Sequence, residues 1–221
     1  KNALVNNNNG SNNISIGKLT LNDNYSGNNN VAIGDSALES NVEGNYNVAT
    51  GFNALKNNIQ SNNNTAIGSF ALKSNISGGD NTGVGFFSLT KNITGSNNTA
   101  IGRSALYSNK DGHYNMAAGN SALQSNITGN NNVALGSGAL KKNTTASGNT
   151  ATGVFSLHDN VTGDKNTAVG YISLSKNDSG KSNTAVGNAA LYSNTTGNFN
   201  VATGRSALYS NKDGKYNTAA G

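Results

Sequence analysis

The sequence predicts an all-β protein, a parallel β-solenoid with one coil of chain per 17-residue repeat. Three observations carry the prediction. Four columns recur at a spacing of 17 without a miss: Gly from Gly17 to Gly221, Leu from Leu4 to Leu208, and two Asn columns, Asn7 to Asn211 and Asn13 to Asn217. The unit never changes length, so the 221 residues make thirteen repeat lengths with no insertion. The composition has no Pro, 45 Asn and 28 Gly, with only 11% charged residues, which sets it apart from the Pro- and charge-rich chains that stay disordered. A loop tolerates an extra residue. A coil stacked on identical neighbours does not, because every ladder would fall out of register.

The unit reads V/T-A-x-G-x-x-A/S-L-x-x-N-x-x-G-x-x-N, and each segment has its own chemistry. The V/T-A-x-G segment alternates side chains to opposite faces, as a strand does. Val31 and Ile33 share one face, Ala32 and Gly34 the other. The Ala column holds in eleven repeats, with Ser15 and Gly83 as exceptions, so it is expected to face inward across a thin coil. The A/S-L segment is expected to form a second short strand, with Leu filling the core. The N-x-x-G-x-x-N segment is turn chemistry, where Gly reaches positive φ freely and Asn tolerates it well. Its Gly column is softer, since Ser61 and Ala146 interrupt it.

Stacked at a strand spacing of about 4.8 Å, the invariant residues form ladders along the axis. These are Gly34, Gly51, Gly68 and Gly102; Leu38, Leu55, Leu72 and Leu106; Asn41, Asn58, Asn75 and Asn109; and Asn47, Asn64 and Asn98. The Asn columns are expected to bond amide to amide, as Asn does in cross-β stacks. Thirteen rungs would span about 60 Å at that spacing. A lone 17-residue coil cannot bury enough to offset its ordering entropy, so stability must come from stacking. The first and third strand side chains, Val31 with Ile33 or Thr65 with Ile67, leave an apolar-to-Thr face that looks like a lengthwise protein contact.

Most classes of site chemistry lack their residues. There is no Cys, and the two histidines, His113 and His158, occupy different repeat positions. Asn stands where a calcium-binding nonapeptide roll needs Asp. No nucleophile elbow, P-loop or recurring carboxylate pair is present. No catalytic, metal or cofactor-binding residue is therefore assigned, no cofactor is expected, and the chain is read as a non-enzyme. The net charge of +5 is carried at variable positions without a continuous basic stripe, which argues against nucleic acid as a partner. No apolar run approaches a membrane span. Sequons such as Asn92-Ile93-Thr94 follow from the repeat itself. The fourteen aromatic residues all lie off the invariant columns, so Tyr46, Tyr107, Tyr114, Tyr192, Tyr209 and Tyr216 are candidates for surface contact.

The segments NVAIGDSAL, NTAIGSFAL and NTAVGNAAL resemble the head repeats of trimeric autotransporter adhesins and related arrays in bacterial surface and phage tail-fibre-like proteins. The resemblance runs the length of the chain, with a longer repeat than autotransporter heads use and no neck, heptad stalk or membrane barrel in these residues. It implies a left-handed parallel β-roll, three chains side by side, and a rod outside the cell. The expected function is a structural and adhesive extracellular fibre. Its expected partners are copies of itself, as a homotrimer or an end-to-end or lateral filament, and a host or neighbouring-cell surface. Residues 1–221 are read as one repeat array, a section of a longer fibre. An ice-binding solenoid and a phage tail-fibre shaft are the alternatives. Residues 102–119 and 204–221 are near-identical, differing at His113/Lys215 and Met116/Thr218, as expected where copies of a coil are interchangeable.

Overall fold

The computed structural model describes residues 2–221 and divides the chain into two units, Lys1–His113 and Tyr114–Gly221. Each is a parallel β-solenoid with 17 residues per turn. The first carries β1 (Ile14–Ile16), β2 (Val31–Ile33), β3 (Val48–Thr50), β4 (Thr65–Ile67), β5 (Thr82–Val84) and β6 (Thr99–Ile101). The second carries β7 (Met116–Ala118), β8 (Val133–Leu135), β9 (Thr150–Thr152), β10 (Thr167–Val169), β11 (Thr184–Val186), β12 (Val201–Thr203) and β13 (Thr218–Ala220). Within each unit successive strands pair in parallel with a register of one repeat, as in Ala32↔Ala49 and Ala168↔Ala185. No described segment forms a helix, so none is long and apolar enough to cross a membrane.

The strand segment behaves as its alternation requires. Ala32, Ala49, Ala66 and Ala100 in the first unit, and Ala117, Ala134, Ala151, Ala168, Ala185 and Ala202 in the second, are fully buried. Their neighbours on either side point outward, with the third position exposed at Ile33, Ile67, Ile101, Val169 and Val186.

The second expected strand does not exist. Each coil has one three-residue strand, and the A/S-L segment is part of a turn. The physical reason lies in two adjacent buried side chains. Ala37 and Leu38 are both fully inside, as are Ala54 with Leu55 and Ala71 with Leu72. A strand would send neighbours to opposite faces. The backbone instead enters the left-handed region twice, at Ser36 (φ 56°) and at Leu38 (φ 50°), and so turns both side chains inward. The same pair of positive φ values recurs at Ser104 and Leu106, Phe155 and Leu157, and Ile172 and Leu174. Left-handed geometry costs a side-chain-bearing residue roughly 1–2 kcal/mol. Burying a leucine returns about 1.5–3 kcal/mol, which is why the turn keeps Leu where the backbone alone would favour Gly or Asn.

Although irregular in φ, the turn is still bonded from coil to coil. Leu38 N donates to Ala54 O at 3.0 Å, Ser40 N to Lys56 O at 2.9 Å, and Val42 N to Ile59 O at 2.8 Å. Most of the chain outside the strand thus finds its partners one repeat away, and an isolated coil would leave those groups unpaired.

Two substitutions separate the core from the backbone contribution. Leu72→Ala keeps the strained φ and empties the core, and should cost about 2–5 kcal/mol in urea unfolding. Ser104→Gly places Gly in the column that Gly138 (φ 66°) already occupies. It should be neutral or stabilise by up to about 1 kcal/mol, the relieved strain being partly offset by the entropy of the unfolded glycine.

Candidate functional surfaces

The invariant Leu and Asn columns form the interior, and the two Asn columns do different work there. In the first, each side-chain amide donates one hydrogen to the amide oxygen one repeat earlier and the other to a carbonyl three residues on. Asn41 Nδ2 reaches Asn24 Oδ1 at 2.7 Å and Gly44 O at 3.0 Å. Asn92 Nδ2 reaches Asn75 Oδ1 at 2.7 Å and Gly95 O at 2.8 Å. Asn58, Asn75 and Asn109 continue the ladder in the first unit, and Asn143, Asn160, Asn177, Asn194 and Asn211 form it in the second. In the second column the amide oxygen caps a backbone group. Asn47 N donates to Asn30 Oδ1 at 2.9 Å, and Asn47 Nδ2 donates to Ser61 O at 2.9 Å. Asn64 N and Asn98 N are held the same way, by Asn47 Oδ1 and Asn81 Oδ1. From Asn24 to Asn194 the ladder side chains are buried, and their satisfied amides let a polar column stand where an unpaired one would cost several kcal/mol. At the Asn92 sequon the Nδ2 atom that would carry a glycan is buried and committed to these bonds.

The two glycine columns differ in strictness for a geometric reason. Gly34, Gly51, Gly68 and Gly102 sit at φ 127–132°, where only Gly is at ease. A Cβ on Gly34 would also lie 2.7 Å from Gly51 O, and one on Gly68 2.7 Å from Gly85 O. Both neighbours are backbone and cannot swing aside. The second column, including Gly27 and Gly44, has no positive φ, and a Cβ there meets ladder amides as well as backbone. Side chains intrude there twice, and both intrusions disturb the Asn three residues later. Asn81, Asn166 and Asn183 donate Nδ2 to the carbonyl 14 residues ahead. Asn64, following Ser61, turns instead to Ser61 Oγ at 3.1 Å and Asn62 O. Asn149, following Ala146, has no hydroxyl to turn to, and its buried Nδ2 is left without a partner. At Ser61 the turn also loosens: Ile59 N to Ile76 O stretches to 3.4 Å, beside a polar surface pocket of about 490 Å³ that includes Glu43, Gln60 and Asp80.

The outside varies from coil to coil. Tyr46 and Tyr114 are 63% exposed and Tyr216 75%. Tyr209 stacks on the half-buried Tyr192 at 5.1 Å, and Tyr216 on Phe199 at 5.0 Å. Tyr107 belongs to a larger group that sequence reasoning passed over. Phe52, Phe70, Phe86, Phe87 and Tyr107 come from four successive coils, with ring centroids 3.9–6.1 Å apart. The 17-residue spacing of Phe70 and Phe87 was the available signal. His113 Nδ1 accepts a bond from Ser96 N at 3.0 Å, and His158 Nδ1 lies 2.7 Å from Asp159 Oδ1. Burial alone would raise the Asp159 carboxyl. Hydrogen bonds from Lys142 and His158 outweigh it and hold the group below its usual value. Asp164 is likewise held low against its burial by Lys181 and the Ser147 amide. Among the described residues no three His, Asp or Glu side chains gather closely enough to hold a metal ion. Comparison with protein-family models, curated proteins and solved structures gave no match.

Asn92→Asp replaces both amide donors with acceptors and should cost about 3–5 kcal/mol. The cost should grow as pH rises through the carboxylate range, because burial raises the folded-state pKa of the new acid and disfavours its charged form. Asn97→Asp, in the exposed column that Asp80 already occupies, should be nearly neutral in the same melting series. Ala146→Gly should restore the bond from Asn149 and raise stability by about 1–3 kcal/mol. Ala146→Ser should recover part of that gain, as Ser61 does for Asn64, while Gly68→Ala should lower the melting temperature sharply.

Proposed function

We propose that this array is a structural and adhesive rod worn outside a cell, a left-handed β-roll in which copies of the chain associate side by side as a homotrimer. One observation carries the reading: away from the end coils the invariant Leu and Asn side chains are buried, the invariant Gly column has no side chain to present, and the side chains that face solvent are the variable ones. Selection for a reaction would leave invariant polar groups at an open surface. Selection for a stackable shaft leaves them in the interior.

The lateral contact is supported by the outward strand face. In the first unit Ile16, Ile33, Ile67 and Ile101 are exposed along one column, beside Thr65, Thr82 and Thr99 in the next. Exposed apolar columns of this kind mark association surfaces. The ice-binding alternative needs ranks of Thr on a flat face. Among the described strands only β9 sets two outward threonines together, Thr150 and Thr152, and elsewhere an apolar residue stands beside the Thr, as at Ile67, Val84 and Ile101, so no thermal hysteresis is expected.

Removing residues 35–51, one whole repeat, should leave cooperative melting nearly intact and shorten the particle by one rung of about 4.8 Å in small-angle scattering. Removing residues 35–50 should damage folding badly, since every ladder loses register on one side of the cut. A mass measurement on the wild-type chain should return three copies. A stable folded monomer would refute the assembly, and loss of cooperative folding on removal of one whole repeat would refute the rod.

A further inference from the structure

The aromatic group on the first unit adds nothing to the core that other coils lack without it. Phe70 and Phe87 sit at positive φ, 62° and 61°, in a column that Ser36, Asn53 and Ser104 fill equally well. Both are only half-buried, and the flanking Phe52 and Phe86 are exposed. The column takes positive φ whatever it holds, Phe155 and Ile172 included, so the backbone does not call for phenylalanine, and a run of rings left half-buried to exposed points to a role at the surface.

The rings form one strip. Phe52 meets Phe70 edge-on at 5.2 Å, Phe70 packs on Phe87 at 5.0 Å, and Phe87 meets Tyr107 edge-on at 5.9 Å. At one coil per rung the strip runs for about 14 Å, room for about three sugar rings laid along the axis. Two ammonium groups lie over it: Lys73 Nζ is 5.5 Å from the Phe70 ring and Lys91 Nζ 4.8 Å from the Tyr107 ring. The exposed Arg103 follows one coil beyond Phe86. Lys56 is already paired with Glu39 at 3.1 Å. Between residues 52 and 107 the sequence has a single acidic residue, Asp80, and it lines the polar pocket.

We infer that this strip is a binding site for an anionic polysaccharide of the uronate class. A pyranose ring has an apolar C–H face that packs on aromatic rings, and its carboxylate, one per sugar at most, would meet Lys73 or Lys91. A nucleic-acid strand carries a phosphate at every nucleotide, and two or three cations would release too few counterions to hold it. The inference deepens the adhesive part of the function proposed above by naming a ligand class, and it rests on that reading. The repeat-deletion test probes the rod itself, so either can fail without the other.

The test is calorimetric titration of the full chain with hexagalacturonate at low salt. Carboxyl-reduced hexamer and a dT10 oligonucleotide serve as comparisons. Hexagalacturonate should bind at least about tenfold more tightly than either. Phe70→Ser with Phe87→Ser uses the residue found in that column in other coils. It should weaken binding by about tenfold or more while the melting temperature holds or rises. Lys73→Gln with Lys91→Ser, likewise drawn from other coils, should weaken binding and flatten its salt dependence. No binding of hexagalacturonate, equal binding of the reduced sugar, tighter binding of dT10, or affinity indifferent to both double variants would each overturn the assignment.

Discussion

The structure depends on the stacked asparagine amide. A side-chain amide has two donor hydrogens and an acceptor oxygen. In the Asn24 to Asn109 column one hydrogen goes back along the axis to the previous Asn oxygen, and the other closes the local turn on a carbonyl three residues ahead. The same group therefore fixes the turn and the stacking. An aspartate could not donate, and a glutamine would be one methylene too long for the turn. Buried amides make this arrangement unforgiving, since a missed partner leaves a desolvated donor, as Asn149 shows where Ala146 displaces the local geometry. The constant repeat length follows. One added or lost residue would break both Asn columns and the glycine column together.

Much of this was legible in the sequence, because columns are a one-dimensional signal. The inward Ala column, the buried Leu column and the amide ladders all follow from invariance at a fixed period. The A/S-L segment was not legible. Alternation cannot distinguish a strand from a turn that visits the left-handed region twice, and nothing about Leu38 or Leu106 announces a φ near 50°. Leucine is the last residue that propensity would place there. Its core burial overrides its backbone preference, which is a tertiary effect. The softness of the second glycine column was visible at Ser61 and Ala146, but its cause, a φ that a residue with a side chain can adopt, required coordinates.

The surface was legible only by elimination. The tyrosines were singled out because they lie off the invariant columns, and the structure sorts them by exposure: Tyr46, Tyr114, Tyr209 and Tyr216 are exposed, whereas Tyr107 and Tyr192 are half-buried. The phenylalanine strip depends on which variable columns lie side by side: Phe70 and Phe87 share one column, Phe52 and Phe86 the next, and Tyr107 a third that only the coil brings against Phe87. The chain thus separates its tasks cleanly. Invariant residues hold the coil together, and the variable ones can change from coil to coil without disturbing it.

The buried amides, more than the short strands, hold coil to coil, and side-chain hydrogen exchange measures this most directly. The Nδ2 protons of Asn41, Asn58, Asn75 and Asn92 should exchange as slowly as the backbone amides of β2 to β6, opening only with global unfolding. Those of the exposed Asn63 and Asn97 should exchange freely. If the ladder amides exchanged as fast as Asn63 and Asn97 while the strand amides stayed protected, the ladder would be a consequence of stacking and not its cause.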